Sequence, residues 1–130
     1  MIVLDASAVL ELLLASAAGV RVARRIASPV ETLHAPHVID LEVAQVLRRY
    51  VRTRQVTDAR AADALTDLKA LDVVRYPHEF LLERIWELRR NATAYDAAYL
   101  ALAELLPATL LTADARLARV AGIRTRVEMV

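Results

Sequence analysis

Four acidic residues stand where a carboxylate is costly. Asp5 ends the apolar run MIVL, and Glu42 is crowded by Leu41, Val43 and Val46 in VIDLEVAQVL. Asp96 interrupts AYDAAYLALA, and Asp114 follows LLTA. A charge at the edge of a core needs something to compensate it. Several carboxylates within a few ångströms cannot all stay ionised unless protons or cations lie between them. The chain has no cysteine, and His34, His37 and His78 offer no pair at metal-ligand spacing. Such a cluster would therefore be a set of hard oxygen donors, suited to Mg²⁺ or Mn²⁺ rather than zinc. A site of that kind activates a water and stabilises a leaving oxygen in phosphodiester hydrolysis. Ser7 and Thr112 are hydroxyls beside it, able to orient a water or phosphate, or to cap a helix.

Each acid also has a purely structural explanation. Asp5 and Asp114 could cap the helices that follow them, Asp96 could complement the dipole at a helix start, and Glu42 could flank its helix and reach water. The other acids, Glu31, Asp58, Asp63, Asp67, Glu79, Glu83, Glu87 and Glu104, read as solvated charges on helix faces. Asp40 reads as structural, and the three histidines as loop or surface residues.

The four acids form one site only if the elements that carry them converge. MIVLD reads as a short buried strand, Ser7–Ala15 as a helix and Gly19–Ser28 as a second one. Thr32–Ala35 reads as a strand leading to Pro36. Val38–Thr53 has apolar residues at helical spacing (Val38, Leu41, Ala44, with Leu47 and Val51). Thr57–Leu71 is a helix with a threonine N-cap and a first-turn acid. DVVRYP reads as a strand, HEFLLERIWELRR as an amphipathic helix presenting Phe80, Leu81, Ile85 and Leu88, and TAYDAAYLALAEL as a nearly all-apolar helix, therefore buried. ATLLT reads as a buried strand, DARLARVAG as a short helix stopped by Gly122, and TRV as a last edge strand. Strands alternating with helices predict a three-layer α/β/α domain with a central, mainly parallel sheet. Ligands of such sheets lie beyond the carboxyl ends of the strands, the rim to which Asp5 and Asp114 both belong.

The bulk properties agree with one domain spanning residues 1–130. A chain of 130 residues, 57% hydrophobic with a mean hydropathy of +0.34, is not a disordered one. No stretch supplies the roughly 20 uncharged apolar residues of a membrane span. Asp5 and Glu11 punctuate the first apolar run, which lacks the basic start of a signal peptide; the expected compartment is the cytoplasm. The net charge of +1 is far from the basic balance of many nucleic-acid binders. Nearly all the positive charge is arginine, Lys69 being the only lysine. Arg48, Arg49, Arg52 and Arg54 cluster, as do Arg89 and Arg90, in patches suited to phosphates or an acidic partner.

Around these acids the sequence resembles the PIN-domain family, and especially the VapC-type toxins of bacterial and archaeal toxin–antitoxin pairs. The matching stretches are MIVLDASAVLELL, APHVIDLEVAQVLRR, TAYDAAYLALAELL and LLTADARLARVAG, in the family's order and spacing. The resemblance implies a metal-dependent endoribonuclease that leaves a 5′-phosphate and a 3′-hydroxyl on structured RNA, often tRNA or rRNA. Asp5, Glu42, Asp96 and Asp114 match its acidic metal-site positions. Ser7 and Thr112 match its supporting hydroxyls, and Arg116 stands where some relatives carry a further acid. The resemblance also implies a homodimer, silenced by a cognate VapB-type antitoxin that wraps the toxin and blocks its site. Two other readings compete. One is a phosphorelay receiver, which needs a paired acid near the start, a phosphorylatable Asp mid-chain after a strand, and a late Lys, whereas Lys69 lies in a polar helix. The other is a non-catalytic interaction protein that keeps the PIN fold.

Overall fold

The computed structural model describes residues 1–130 and contains five strands and six α-helices. In chain order they are β1 (Ile2–Leu4), α1 (Ala6–Leu13), α2 (Ala17–Ile26), β2 (Leu33–Pro36), α3 (Val38–Arg52), α4 (Asp58–Ala70), β3 (Val73–Tyr76), α5 (Leu82–Glu87), α6 (Ala94–Leu105), β4 (Thr109–Thr112) and β5 (Val127–Met129). The sheet order is β3-β2-β1-β4-β5, and every pairing is parallel. The expectation of a mainly parallel sheet is thus met in full. Chain order reverses between β2-β1 and β4-β5, so β1 and β4 flank the point where consecutive crossovers run to opposite sides, leaving a crevice beyond their carboxyl ends.

The three residues of β1 are fully buried, as are Leu110 and Leu111 of β4. Both central strands are apolar without alternation because helices cover both faces of the sheet. Helix α6 buries the whole run Ala97–Ala103, which explains why its sequence shows no polar side beyond its first turn. A Leu→Ala change in this core, at Leu110 for example, removes about 2–5 kcal/mol. Helices α1 and α2 cross at 107°. Gly19 makes that crossing possible, since a Cβ there would lie 2.0 Å from the carbonyl oxygen of Glu11.

Three expectations change in the structure. HEFLLERIWELRR is not one helix but a 3₁₀ turn (Glu79–Leu81) followed by the short α5. The tighter winding shifts the phase of the apolar face, so Leu81, Ile85 and Leu88 are buried while Phe80 is half exposed. DARLARVAG keeps only a 3₁₀ turn at Leu117–Arg119 before Gly122 turns the chain with φ +82°. His34 is not a surface residue: it is buried in β2, with its ring nitrogens against Tyr76 Oη at 2.9 Å and Thr32 Oγ1 at 2.8 Å. Asp40 is structural, as expected, gripped through both carboxylate oxygens by Arg75 Nε at 3.0 and 2.9 Å.

Candidate active site

All four acids line one cleft of about 880 Å³ at the switch point. Asp5 is the residue after β1. Its backbone N–H donates to Leu111 O of β4 at 3.0 Å, so it prolongs the β1-β4 ladder at the carboxyl edge. It is also the N-cap of α1, in extended conformation with φ −78° and ψ 151°. Glu42 lies in the second turn of α3, which starts directly after β2. Asp96 lies in the first turn of α6, whose N-cap Thr93 accepts from Asp96 N–H at 3.1 Å. Asp114 follows β4 by two residues.

Asp5 is held on one side only. Its Oδ2 accepts from Ser7 N–H at 3.3 Å, from Thr112 Oγ1 at 2.8 Å and from the Ser7 hydroxyl, whereas Oδ1 has no hydrogen-bond partner and faces the cleft. The two hydroxyls also accept backbone N–H groups: Ser7 Oγ from Ala113 at 2.9 Å and Thr112 Oγ1 from Asp114 at 2.9 Å. Ser7 and Thr112 therefore clip the start of α1 to the end of β4 and aim Asp5. Their protons point at Asp5, so they position the acid rather than hold a water or phosphate themselves. Capping and site formation, which compete as explanations for Asp5 in the sequence, coexist on its two oxygens.

The other acids differ in how they are compensated. Burial raises the Glu42 carboxyl above its ordinary pKa, and repulsion from Asp5 and Asp96 adds to it, against a bond from Tyr99 that favours ionisation. The Tyr99 hydroxyl donates to Glu42 Oε2, leaving Oε1 open. Burial and the charges of Asp5 and Asp114 likewise raise Asp96, outweighing the Arg116 charge and the Thr93 hydroxyl, which favour its ionised form. Asp114 is the exception: the Arg116 guanidinium holds it below the usual carboxylate range. Arg116 donates through Nε to both oxygens at 3.1 and 3.0 Å, through Nη2 at 2.6 Å and through its backbone N–H at 2.9 Å.

The sequence reading missed Tyr99 and the Arg116–Asp114 pair. Tyr99 was legible in principle, because it follows Asp96 by three residues and so shares its helix face. The pair depends on the loop after β4, which has no periodicity to read. The donor set nevertheless fits a divalent cation. All donors are carboxylate oxygens, Asp5, Glu42 and Asp96 each keep an oxygen free, and two of these acids are raised by burial and, to a lesser degree, by charges that a cation would offset. The acids stand apart around the cleft, with no three drawn into a preformed coordination cluster.

One wall of the cleft is α3, with Arg48, Arg49 and Tyr50 beyond Glu42, and Tyr95 and Arg116 stand on the opposite rim. Arg48 and Arg49 make no salt bridge, in contrast to Arg25, Arg75, Arg84 and Arg116. Lys69 is in the last turn of α4 and outside this cleft, so the lysine that a phosphorelay receiver needs beside its acids is missing.

The parallel five-stranded sheet with acids gathered at its switch point has a counterpart in a known family: residues 2–123 match the family model described as PIN domain. The chain belongs to the PIN-domain family. Ribonuclease VapC9 of Mycobacterium tuberculosis (strain ATCC 25618 / H37Rv) is 47% identical over 117 residues, which are 90% of this chain and 88% of VapC9. Among solved structures, Mycobacterium tuberculosis VapC20, described as a sarcin-ricin loop cleaving toxin, superposes with a TM-score of 0.72 at 19% identity, covering 95% of this chain and 97% of that one. VapBC2 from Rickettsia felis, solved bound to a promoter DNA fragment, gives a TM-score of 0.71 at 13% identity over 99% and 98% of the chains. Within the family the chain is thus a VapC-type toxin with endoribonuclease activity. No single helix is long and apolar enough to cross a membrane.

Proposed function

We propose that this single nuclease domain, spanning 1–130, hydrolyses RNA phosphodiester bonds in the cytoplasm with Mg²⁺ or Mn²⁺ as its cofactor. Asp5, Asp96 and Asp114 are the metal-holding acids, and Glu42 joins them directly or through water. One observation carries this reading: four acids from four separate elements line one cleft, and only Asp114 has a cationic partner. A divalent cation bound there would supply Lewis acidity, lowering the pKa of water and offsetting charge on the leaving oxygen.

The chain's own residues supply the geometry. Ser7 and Thr112 lock Asp5 so that Oδ1 faces the cleft. Tyr99 fixes Glu42 through Oε2, leaving Oε1 to orient a water or accept its proton. Arg48 and Arg49, free of carboxylate partners, suit the phosphates on either side of the cut. Exposed Tyr95, next to Asp96, offers a ring on which a nucleobase can stack. The bond cut would leave a 5′-phosphate and a 3′-hydroxyl, and the substrate class is structured RNA, tRNA or rRNA; cleavage of the sarcin-ricin loop, stated for VapC20, favours rRNA as one candidate.

A cognate VapB-type antitoxin and a second copy of this chain are the proposed protein partners. Two exposed apolar faces are available to them: Leu41 on α3, and Phe80, Leu82 and Trp86 around α5. The function is tested by incubating total tRNA and ribosomal RNA with the protein and Mg²⁺. Cleavage is expected to stop with chelator and in Asp96→Asn. Chelator-insensitive cleavage would refute the metal requirement.

A further inference from the structure

Among the arginine–carboxylate pairs of the molecule, Arg116–Asp114 has by far the most exposed arginine. Arg84 with Glu104 and Arg75 with Asp40 join different elements, and their guanidinium groups are mostly covered. Arg116 lies two residues from its partner, and its side chain is 82% exposed. It bridges nothing. An exposed pair of this kind adds little to folding, yet its guanidinium takes both oxygens of the one cleft acid that is not left open.

Arg116 also lines the cleft, and its charge acts on Asp96 and Asp5 as well as on Asp114. We propose that Arg116 is a tethered counter-cation that exchanges partners during the reaction cycle. Without a divalent cation it neutralises Asp114. When a cation engages Asp114, the guanidinium is released and swings, on a side chain already in solvent, to an RNA phosphate on the Tyr95 side of the cleft. A planar, always-charged fork suits both partners, because carboxylate and phosphate accept it in the same two-pronged way. The consequence is coupling: cation binding costs an ion pair that RNA binding restores, so each ligand strengthens the other by the same factor. Arg116 is a positioning residue in this scheme and not a metal ligand. The inference rests on the proposed metal-dependent hydrolysis.

The test reads binding and not turnover. Mn²⁺ affinity is measured by electron paramagnetic resonance for the wild type, Arg116→Ala and Arg24→Ala, with and without a short phosphorothioate RNA that resists hydrolysis. Arg24 is exposed on α2 outside the cleft and controls for net charge. The expected result is Mn²⁺ binding roughly fivefold or more tighter in Arg116→Ala than in the wild type without RNA, and a smaller gain on adding RNA. Arg24→Ala should match the wild type. Equal Mn²⁺ affinity in wild type and Arg116→Ala, or an equal gain in Arg24→Ala, overturns the inference and leaves the hydrolytic reading standing. No Mn²⁺ binding by any of the three proteins overturns the metal reading, and the inference with it.

Discussion

Two sets of carboxylates in this molecule show opposite electrostatics. On the side away from the cleft, Glu104 accepts from Arg84 Nε at 2.7 Å, from Arg84 Nη2 at 3.1 Å and from Arg124 N–H at 2.7 Å. Burial alone would raise its pKa, but these partners outweigh burial and lower it. Glu31 is lowered in the same way by the N-terminal ammonium and Arg25. At the cleft, Glu42 and Asp96 are as covered but face other acids, and both are raised. An acid that folds with its counter-cation already present stabilises the chain. An acid that folds against other acids is held there by the rest of the fold, its repulsion not fully relieved by any counter-charge of the chain. Perturbed groups concentrated in a cleft are the mark of a functional site.

The contrast can be broken in several ways. The largest effect is expected at the unpaired acids: Asp96→Asn should lower RNA cleavage by about 10²–10³-fold while the metal-free fold gains stability, because a repelling charge is removed. The opposite split is expected on the other side. Glu104→Ala should cost about 1–3 kcal/mol of stability, read by urea denaturation, and leave cleavage per folded molecule unchanged. A mutant of Glu104 that kept its stability would erase the distinction between the two sets.

Tyr99→Phe should be smaller and mixed. Loss of the hydroxyl frees Glu42 Oε2 but removes the only donor that favours its ionised form. Its pKa should rise further, and the acidic limb of the pH–rate profile should move to higher pH with little change in the plateau.

The smallest effect is expected in the pH dependence of stability. A carboxyl raised in the fold binds more protons folded than unfolded. The contribution of Glu42 and Asp96 therefore improves as pH falls from above their raised values towards the ordinary 4.5 and 3.8. The lowered groups Glu31, Glu104 and Asp114 act in the reverse sense: their support is full above their ordinary values and is lost as pH falls from there through their depressed ones. Metal-free protein should thus gain stability on mild acidification and lose it on stronger acidification. Asp96→Asn should flatten the first phase, and saturating Mn²⁺ should remove it, because a ligand that binds only the native state stabilises it and competes with the protons.

Much of this was legible in the sequence, for identifiable reasons. Uninterrupted apolar strands and helical periodicity predicted the α/β order, and parallel topology placed Asp5 and Asp114 on one rim. The four acids were recognisable because acids are out of place among apolar neighbours. Glu104 and Glu31 were misread as solvated helix charges, because Arg84 and Arg25 reach them across the fold and no local pattern announces such a partner. His34 was misread because a polar residue in a short strand has no period to betray its burial. The 3₁₀ turn at Glu79–Leu81 disguised the start of α5, since i,i+3 and i,i+4 spacings look alike over one turn.

The central claim is that the unpaired acids of the switch-point cleft form one hydrolytic centre. Its most direct test is to map the RNA ends produced by wild-type protein and by Asp96→Asn, each with Mn²⁺ and with chelator. New 5′-phosphate ends at discrete positions are predicted for the wild type with Mn²⁺ alone. The same ends at undiminished yield in Asp96→Asn, or in the presence of chelator, would contradict the account.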